Sequence, residues 1–202
     1  MAMAMAKGLV ASIYPSIGEL TDNSDIVFWC TKPKDLKTAV TSDMPLRSDI
    51  VYVSIAAGIS LTQIYSWIGE DSNEPETKII QMMPNTPCLV GQGAAGFITS
   101  ENISEAEVEL FKRLMKSSFP VLERMKTIKE LDATTGVAGS CPAYIFMVAE
   151  AIAEAGVKQG LTWDQSLRLT VQTIKGAAML LEQSHEHPAV AKVRYEHAHS
   201  IF

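Results

Sequence analysis

The sequence predicts an α/β chain in which a largely parallel sheet carries helices on both faces and an all-helical segment follows. Two observations carry that prediction. Short, nearly continuous apolar runs at 25–31, 49–55 and 78–83 alternate with helical stretches, as strands buried on both faces and joined by helical crossovers require. Beyond about residue 126 the strand pattern stops and only helical periodicity remains. The expected division is therefore 1–126 and 127–202.

Composition bounds the function classes. A 202-residue chain with 47% hydrophobic and 20% charged residues has room for one domain or two small ones. Its formal net charge of −6, with no basic block interleaved with aromatics, argues against nucleic acid or a membrane surface as partner. No uninterrupted apolar run approaches the roughly 18 residues of a membrane span. Cys30, Cys88 and Cys141 form neither a disulfide framework nor a C-x-x-C pair, which points to a reducing, cytoplasmic compartment.

The first ten residues, MAMAMAKGLV, are mostly strong helix formers and lack the basic start of a signal peptide. Nothing upstream caps such a helix, so a front end is expected to be missing. The first strand, Asp25–Thr31, is closed by Pro33, and 35–40 suits a short helix. The second, Asp49–Ile55, ends in Ala56, Ala57 and Gly58, after which Ser60 and Gln63 open a helix as a capping box. The third, Lys78–Met83, is stopped by Pro84-Asn85-Thr86-Pro87, where two prolines exclude helix and force a turn. Ala94–Thr99 is a fourth strand. Ser104 and Glu107 form a second capping box, heading an amphipathic helix to about Ser117, and Phe119–Arg124 is a last strand. Pro142–Gln159 is a strongly apolar helix with Gly156 and Gly160 near its end, and Thr162 and Gln165 cap another that runs to about Glu182. Both helices are apolar around most of their circumference, more than one hairpin buries, so a dimer through this region is expected.

Several features invite a functional reading and do not sustain it. Gly91-Gln-Gly-Ala-Ala-Gly96 is a literal G-x-G-x-x-G. The dinucleotide fingerprint needs a strand before it and a helix after it; here a Pro-bounded turn precedes and a strand follows, so a flexible glycine loop is expected. His185, His187, His197 and His199 lie near the C-terminus without converging partners and read as solvated surface, so no metal site is expected. Cys141, beside Pro142 at a helix start, is placed to stabilise a thiolate, yet no neighbouring His, Asn or Asp pattern supplies a base.

Three strand ends form a more specific set: Cys30-Thr-Lys-Pro33, Ser54-Ile-Ala-Ala-Gly58 and Met83-Pro-Asn-Thr-Pro87. In a doubly wound sheet they line one crevice, where ligands bind. Taken singly, Asn85 reads as a turn cap, and Ala56, Ala57 and Gly58 read as plain close packing. Downstream, Gly136–Tyr144 precedes a helix, Gln172–Ala178 lies within the next, and His187-Pro188 follows. In this order and spacing the set resembles the pyrroline-5-carboxylate reductase family over about residues 2–190.

The resemblance implies an NAD(P)-binding Rossmann-like domain at 1–126 and a helical dimerisation and substrate domain at 127–202. It implies an oxidoreductase that reduces the C=N bond of 1-pyrroline-5-carboxylate to L-proline with NADPH or NADH, working as a homodimer or larger homo-oligomer. Carried over by position, Thr31, Lys32 and Pro33 lie beside the cofactor ribose and nicotinamide. Ala56 and Ala57 let the nicotinamide approach the backbone, and Asn85 stands at the nicotinamide and substrate end as a catalytic candidate. Gly139, Ser140 and Cys141 face the substrate, with Ser140 the second catalytic candidate; backbone N–H groups at a helix start suit a carboxylate.

The chain departs from the family pattern in three places. The first strand and glycine-rich loop are absent ahead of the helix that Ala2–Gly8 resembles, and Ser12–Ile17 is too short for the second strand. After His187-Pro188 the SPGGTT loop and further helices are absent, and Ala191–Phe202 matches nothing in the family pattern. Cys141 replaces the second glycine of GSGPAY. A member shortened at both ends and internally is expected to bind NADPH or NADH poorly, for want of the glycine loop, and to form a weakened dimer. The competing readings are a catalytically inactive fragment or incomplete gene model that keeps only the fold and an interaction surface, and, less well supported, a sibling reductase acting on another small acid.

Overall fold

The computed structural model describes residues 17–41, 46–73 and 75–199. The helix expected over 1–10 and the stretch 12–16 lie outside the described residues. The chain divides into two compact units, one ending at Pro142 and the other beginning at Ala143.

The first unit contains α1 (Ile17–Asp22), β1 (Ile26–Trp29), α2 (Pro33–Thr41), β2 (Val51–Ser54), α3 (Leu61–Ile68), β3 (Lys78–Met83), a 3-10 helix (Thr86–Val90), β4 (Ala94–Thr99), α4 (Glu105–Met115), β5 (Val121–Arg124), α5 (Ile128–Thr134) and a π turn (Thr135–Gly139). One sheet takes the five strands in chain order. β1, β2 and β3 run parallel, and β4 pairs parallel with β5. β3 and β4 are antiparallel, because the link between them is shorter than the dozen or so residues a parallel crossover needs.

Helices cover both faces, as the Rossmann-like α/β reading requires. Leu36 and Val40 of α2 and Ile64 and Tyr65 of α3 pack on Val27, Trp29, Tyr52 and Ile79. Val108, Phe111 and Met115 of α4 pack on the opposite face, against Val51, Val53, Ile80, Met82 and Phe97. Alternate strand residues serve opposite cores, which is why the strands are apolar without a break.

Local chemistry departs from expectation in three places. Ser60 accepts from the Gln63 N–H at 3.2 Å, and α3 starts on that bond alone; the reciprocal box forms at Ser104 and Glu107 on α4. The segment after β3 is helical after all. Pro87 falls in the first turn of the 3-10 helix, where a missing N–H is tolerated. The glycine run is not a flexible loop. Gly91 caps the 3-10 helix at φ 72°. A Cβ at Gly93 would lie 2.5 Å from Phe119 Cδ1, and one at Gly96 would lie 2.7 Å from Thr134 Cγ2.

The remaining elements are α6 (Cys141–Lys158), α7 (Trp163–Ser184) and α8 (Pro188–His199). Thr162 and Gln165 form the full capping box at the head of α7. Gly156 lets α6 approach α7 closely, since a Cβ there would collide with the Ser166 side chain; Ser166 Oγ donates to the Ala153 carbonyl at 2.8 Å. α8 is a helix that the sequence reading lacks. Pro188 occupies its first position, where proline is favoured, and His187 Nδ1 accepts from the Ala189 N–H at 3.2 Å. His185 closes α7 in the left-handed conformation at φ 53°. Both histidines therefore hold chain geometry besides meeting solvent.

α5, the π turn and α6 follow one another without a break over Ile128–Lys158, and an 18-residue window there, with mean hydropathy 1.4, is long and apolar enough to cross a membrane by length and composition. Counting uninterrupted apolar runs misses it, because isolated Gly, Ser and Glu residues break the run.

Candidate active site

The parallel register aligns Trp29 with Ser54 and Ser54 with Gln81, so β1, β2 and β3 end at one edge of the sheet. Thr31, Lys32 and Pro33 leave β1 there, Ala56 and Ala57 leave β2, and Asn85 leaves β3. β4 runs the other way and begins at the same edge. Asn85 is 7% exposed, and its Oδ1 accepts from the Ala94 N–H at 2.9 Å. Ala56 is buried and Ala57 and Lys32 are exposed. Burial holds the thiols of Cys30 and Cys88 above their ordinary pKa, so neither is a ready nucleophile.

Polar atoms at this edge await partners. Trp29 Nε1, Thr31 Oγ1 and Gln81 Oε1 are buried without a hydrogen bond. A Cβ at Gly58, which sits at φ 75°, would meet nothing within 4 Å, so the turn after β2 faces open space.

Gly139, Ser140 and Cys141 do not lie at a free helix start. Helical turns already run from Ile128; Gly139 ends the π turn, Ser140 caps it and Cys141 opens α6. The Ser140 N–H donates to the Thr135 carbonyl at 2.8 Å, so it is not free for a carboxylate as the sequence reading expected. The cause is Pro142. It has no N–H for the carbonyl four residues back, that of Ala138, and its ring crowds a regular helix there. The Ala138 carbonyl instead accepts from Asn85 Nδ2 at 3.3 Å. Ala138 had no signal of its own in the sequence; its only clue was a proline four positions on.

Among the described residues no three His, Cys, Asp or Glu side chains are grouped to hold a metal ion.

Residues 129–197 match the family model for pyrroline-5-carboxylate reductase dimerisation. The match passes Ala191, so the resemblance extends beyond residue 190, where the sequence reading ended it. A pyrroline-5-carboxylate reductase of Arabidopsis thaliana is 35% identical over 182 residues, covering 90% of this chain and 63% of the relative. The chain is similar to the pyrroline-5-carboxylate reductases along nine tenths of its own length. The Pseudomonas aeruginosa reductase is 33% identical over 183 residues, 90% of this chain and 65% of its own. Among solved structures, Plasmodium falciparum pyrroline carboxylate reductase with NADP bound superposes with a TM-score of 0.79 at 28% identity, covering 90% of this chain and 66% of that one. The chain thus spans a little under two thirds of the length of these reductases.

Proposed function

We propose that the protein is an NADPH- or NADH-dependent reductase that converts 1-pyrroline-5-carboxylate to L-proline, the last step of proline synthesis. The observation that carries this reading is the meeting of Thr31–Pro33, Ala56-Ala57 and Asn85 at one sheet edge, tied by Asn85 to the segment that leads into Gly139–Cys141. The family's NADP-bound structure supports the cofactor.

The residues at this edge fit a dinucleotide. Thr31 Oγ1 is buried and unpartnered, and the turn at Gly58 leaves room beside Ala56 and Ala57. Thr31, Lys32, Pro33, Ala56 and Ala57 would hold the nicotinamide half, and Asn85 would stand beside it at the same edge. When bound, the reduced nicotinamide supplies the hydride that adds to the C=N carbon, and the nitrogen, already protonated, becomes the amine. The chain's contribution is positioning, which suffices for much of the acceleration when the acceptor is already electrophilic. Gly139, Ser140 and Cys141 would orient the substrate. Residues 1–126 would serve the cofactor, and 127–202 would serve substrate binding and homodimerisation. Three free cysteines fit the reducing cytoplasm.

The test is turnover by the purified chain, followed as NADPH consumption and proline formed. Substrate-dependent oxidation is expected, and Ala57→Phe, which fills the space beside the turn, is expected to raise KM for NADPH about tenfold, a loss of about 1.4 kcal/mol of binding. No substrate-dependent oxidation with either cofactor would overturn the reading in favour of the inactive fragment.

A further inference from the structure

We propose that Asn85 is a positioning residue. Its amide ties the end of β3 to the π turn through the Ala138 carbonyl, to which Pro142 has no N–H to donate, and so fixes where Gly139–Cys141 stand relative to the cofactor edge.

Both ends of the Asn85 amide are committed to backbone. Oδ1 accepts from the Ala94 N–H at 2.9 Å and Nδ2 donates to the Ala138 carbonyl at 3.3 Å. The side chain therefore joins three segments, the end of β3, the start of β4 and the π turn. The bonds are part-buried, on a side chain that is itself buried, where an unpaired donor or carbonyl costs more than at the open surface. Gly96 brings the same segments together sterically, since any side chain there would meet Thr134, just before the turn. π turns are uncommon insertions that persist where something holds them. Here Pro142 removes the competing helical bond and Asn85 takes its place. The arrangement makes Asn85 act through Ala138 on the substrate segment, in addition to whatever it presents to a ligand.

This inference rests on the reductase reading for its catalytic consequence, while the tie itself can be tested without turnover. Asn85→Asp keeps the acceptor for Ala94 and replaces the donor to Ala138 with a carboxylate oxygen. Hydrogen exchange of the whole chain should quicken about tenfold or more at residues 136–140, as expected when one tertiary bond is lost, with β1 and β2 unchanged. Pro142→Ala restores an N–H for Ala138 and should act on the same carbonyl, so the two substitutions should be non-additive in a double-variant cycle. In turnover, Asn85→Asp should lower kcat about tenfold or more, the scale of a small misplacement of reacting groups, with KM for NADPH changed less than about threefold. A general loss of structure would instead move exchange everywhere.

Unchanged exchange at 136–140 in Asn85→Asp, or strict additivity with Pro142→Ala, would overturn the tie. A raised KM for NADPH with kcat unchanged would overturn the positioning role. A wild-type chain without turnover would remove the reductase reading and the positioning role with it, and the exchange data would still decide the tie.

Discussion

Tyr65 carries its consequence in a single hydroxyl. The side chain is 1% exposed, and its hydroxyl donates to the Thr77 carbonyl at 2.8 Å. Burial pushes its pKa up to about 12, with an interaction with Ser100 opposing the rise and the Glu70 charge adding to it. A folded pKa above the unfolded value near 10 means that the stabilisation is complete below about pH 10 and is lost as pH rises through about 12. Tyr65→Phe should cost about 1 kcal/mol at neutral pH, the usual net worth of a buried hydrogen bond. The stability difference between wild type and variant, measured by urea unfolding, should hold steady to about pH 9 and shrink from about 10 to 12. A difference that stays flat through that window would show that the phenol is not held neutral by the fold. Asn85 belongs to the same scale. Its residue type and place after the third strand were legible in the sequence, but its two backbone partners were not, because both lie far along the chain.

At the scale of elements, Gly156 separates helix propensity from packing. Replacing a mid-helix glycine with alanine favours the helix by about 0.5–1 kcal/mol. At this position the added Cβ falls on Ser166, a buried side chain already bonded to Ala153. Gly156→Ala is therefore expected to be net destabilising, by about 1–3 kcal/mol as for other overpacked sites, and to lower the thermal midpoint. Removing the obstacle with Ser166→Gly should recover part of the loss. A raised midpoint for the single variant would show that the helices part without cost. The capping boxes show the limits of local reading: Ser104/Glu107 and Thr162/Gln165 close fully, whereas α3 has only its serine bond. Whether a return bond forms depends on where the N3 side chain finds other company, which spacing alone does not encode.

At the scale of the whole molecule, the helical unit leaves much of its apolar surface uncovered. Phe146 is 67% exposed and Leu180 is 70% exposed, and both lie within the segment that matches the family's dimerisation model. Patches of this kind on a soluble chain mark interfaces. The unmodified protein should self-associate at tens of micromolar, about the range in which weak interfaces populate dimer, and Phe146→Asp with Leu180→Asp should shift it to monomer in sedimentation velocity. A stable wild-type monomer at that concentration would contradict the homodimer, and a double variant that remains dimeric would place the interface on another face.

The sequence by itself determined the strands, the helices over 105–115 and 163–184, the alternation that makes an α/β sheet, and the grouping of three strand ends at one edge. Those features rest on periodicity and on caps within a few residues, forces that act along the chain. Only the tertiary structure decided the antiparallel joint between β3 and β4, the close packing at Gly93 and Gly96, and the π turn at Thr135–Gly139. The glycine packing and the tie to the π turn depend on partners distant in sequence: Phe119 for Gly93, Thr134 for Gly96, Asn85 for Ala138. Pro142 announced that a helical hydrogen bond would be missing, and the fold chose which side chain replaced it, because a carbonyl partly withdrawn from solvent needs a donor and only packing decides which one is near.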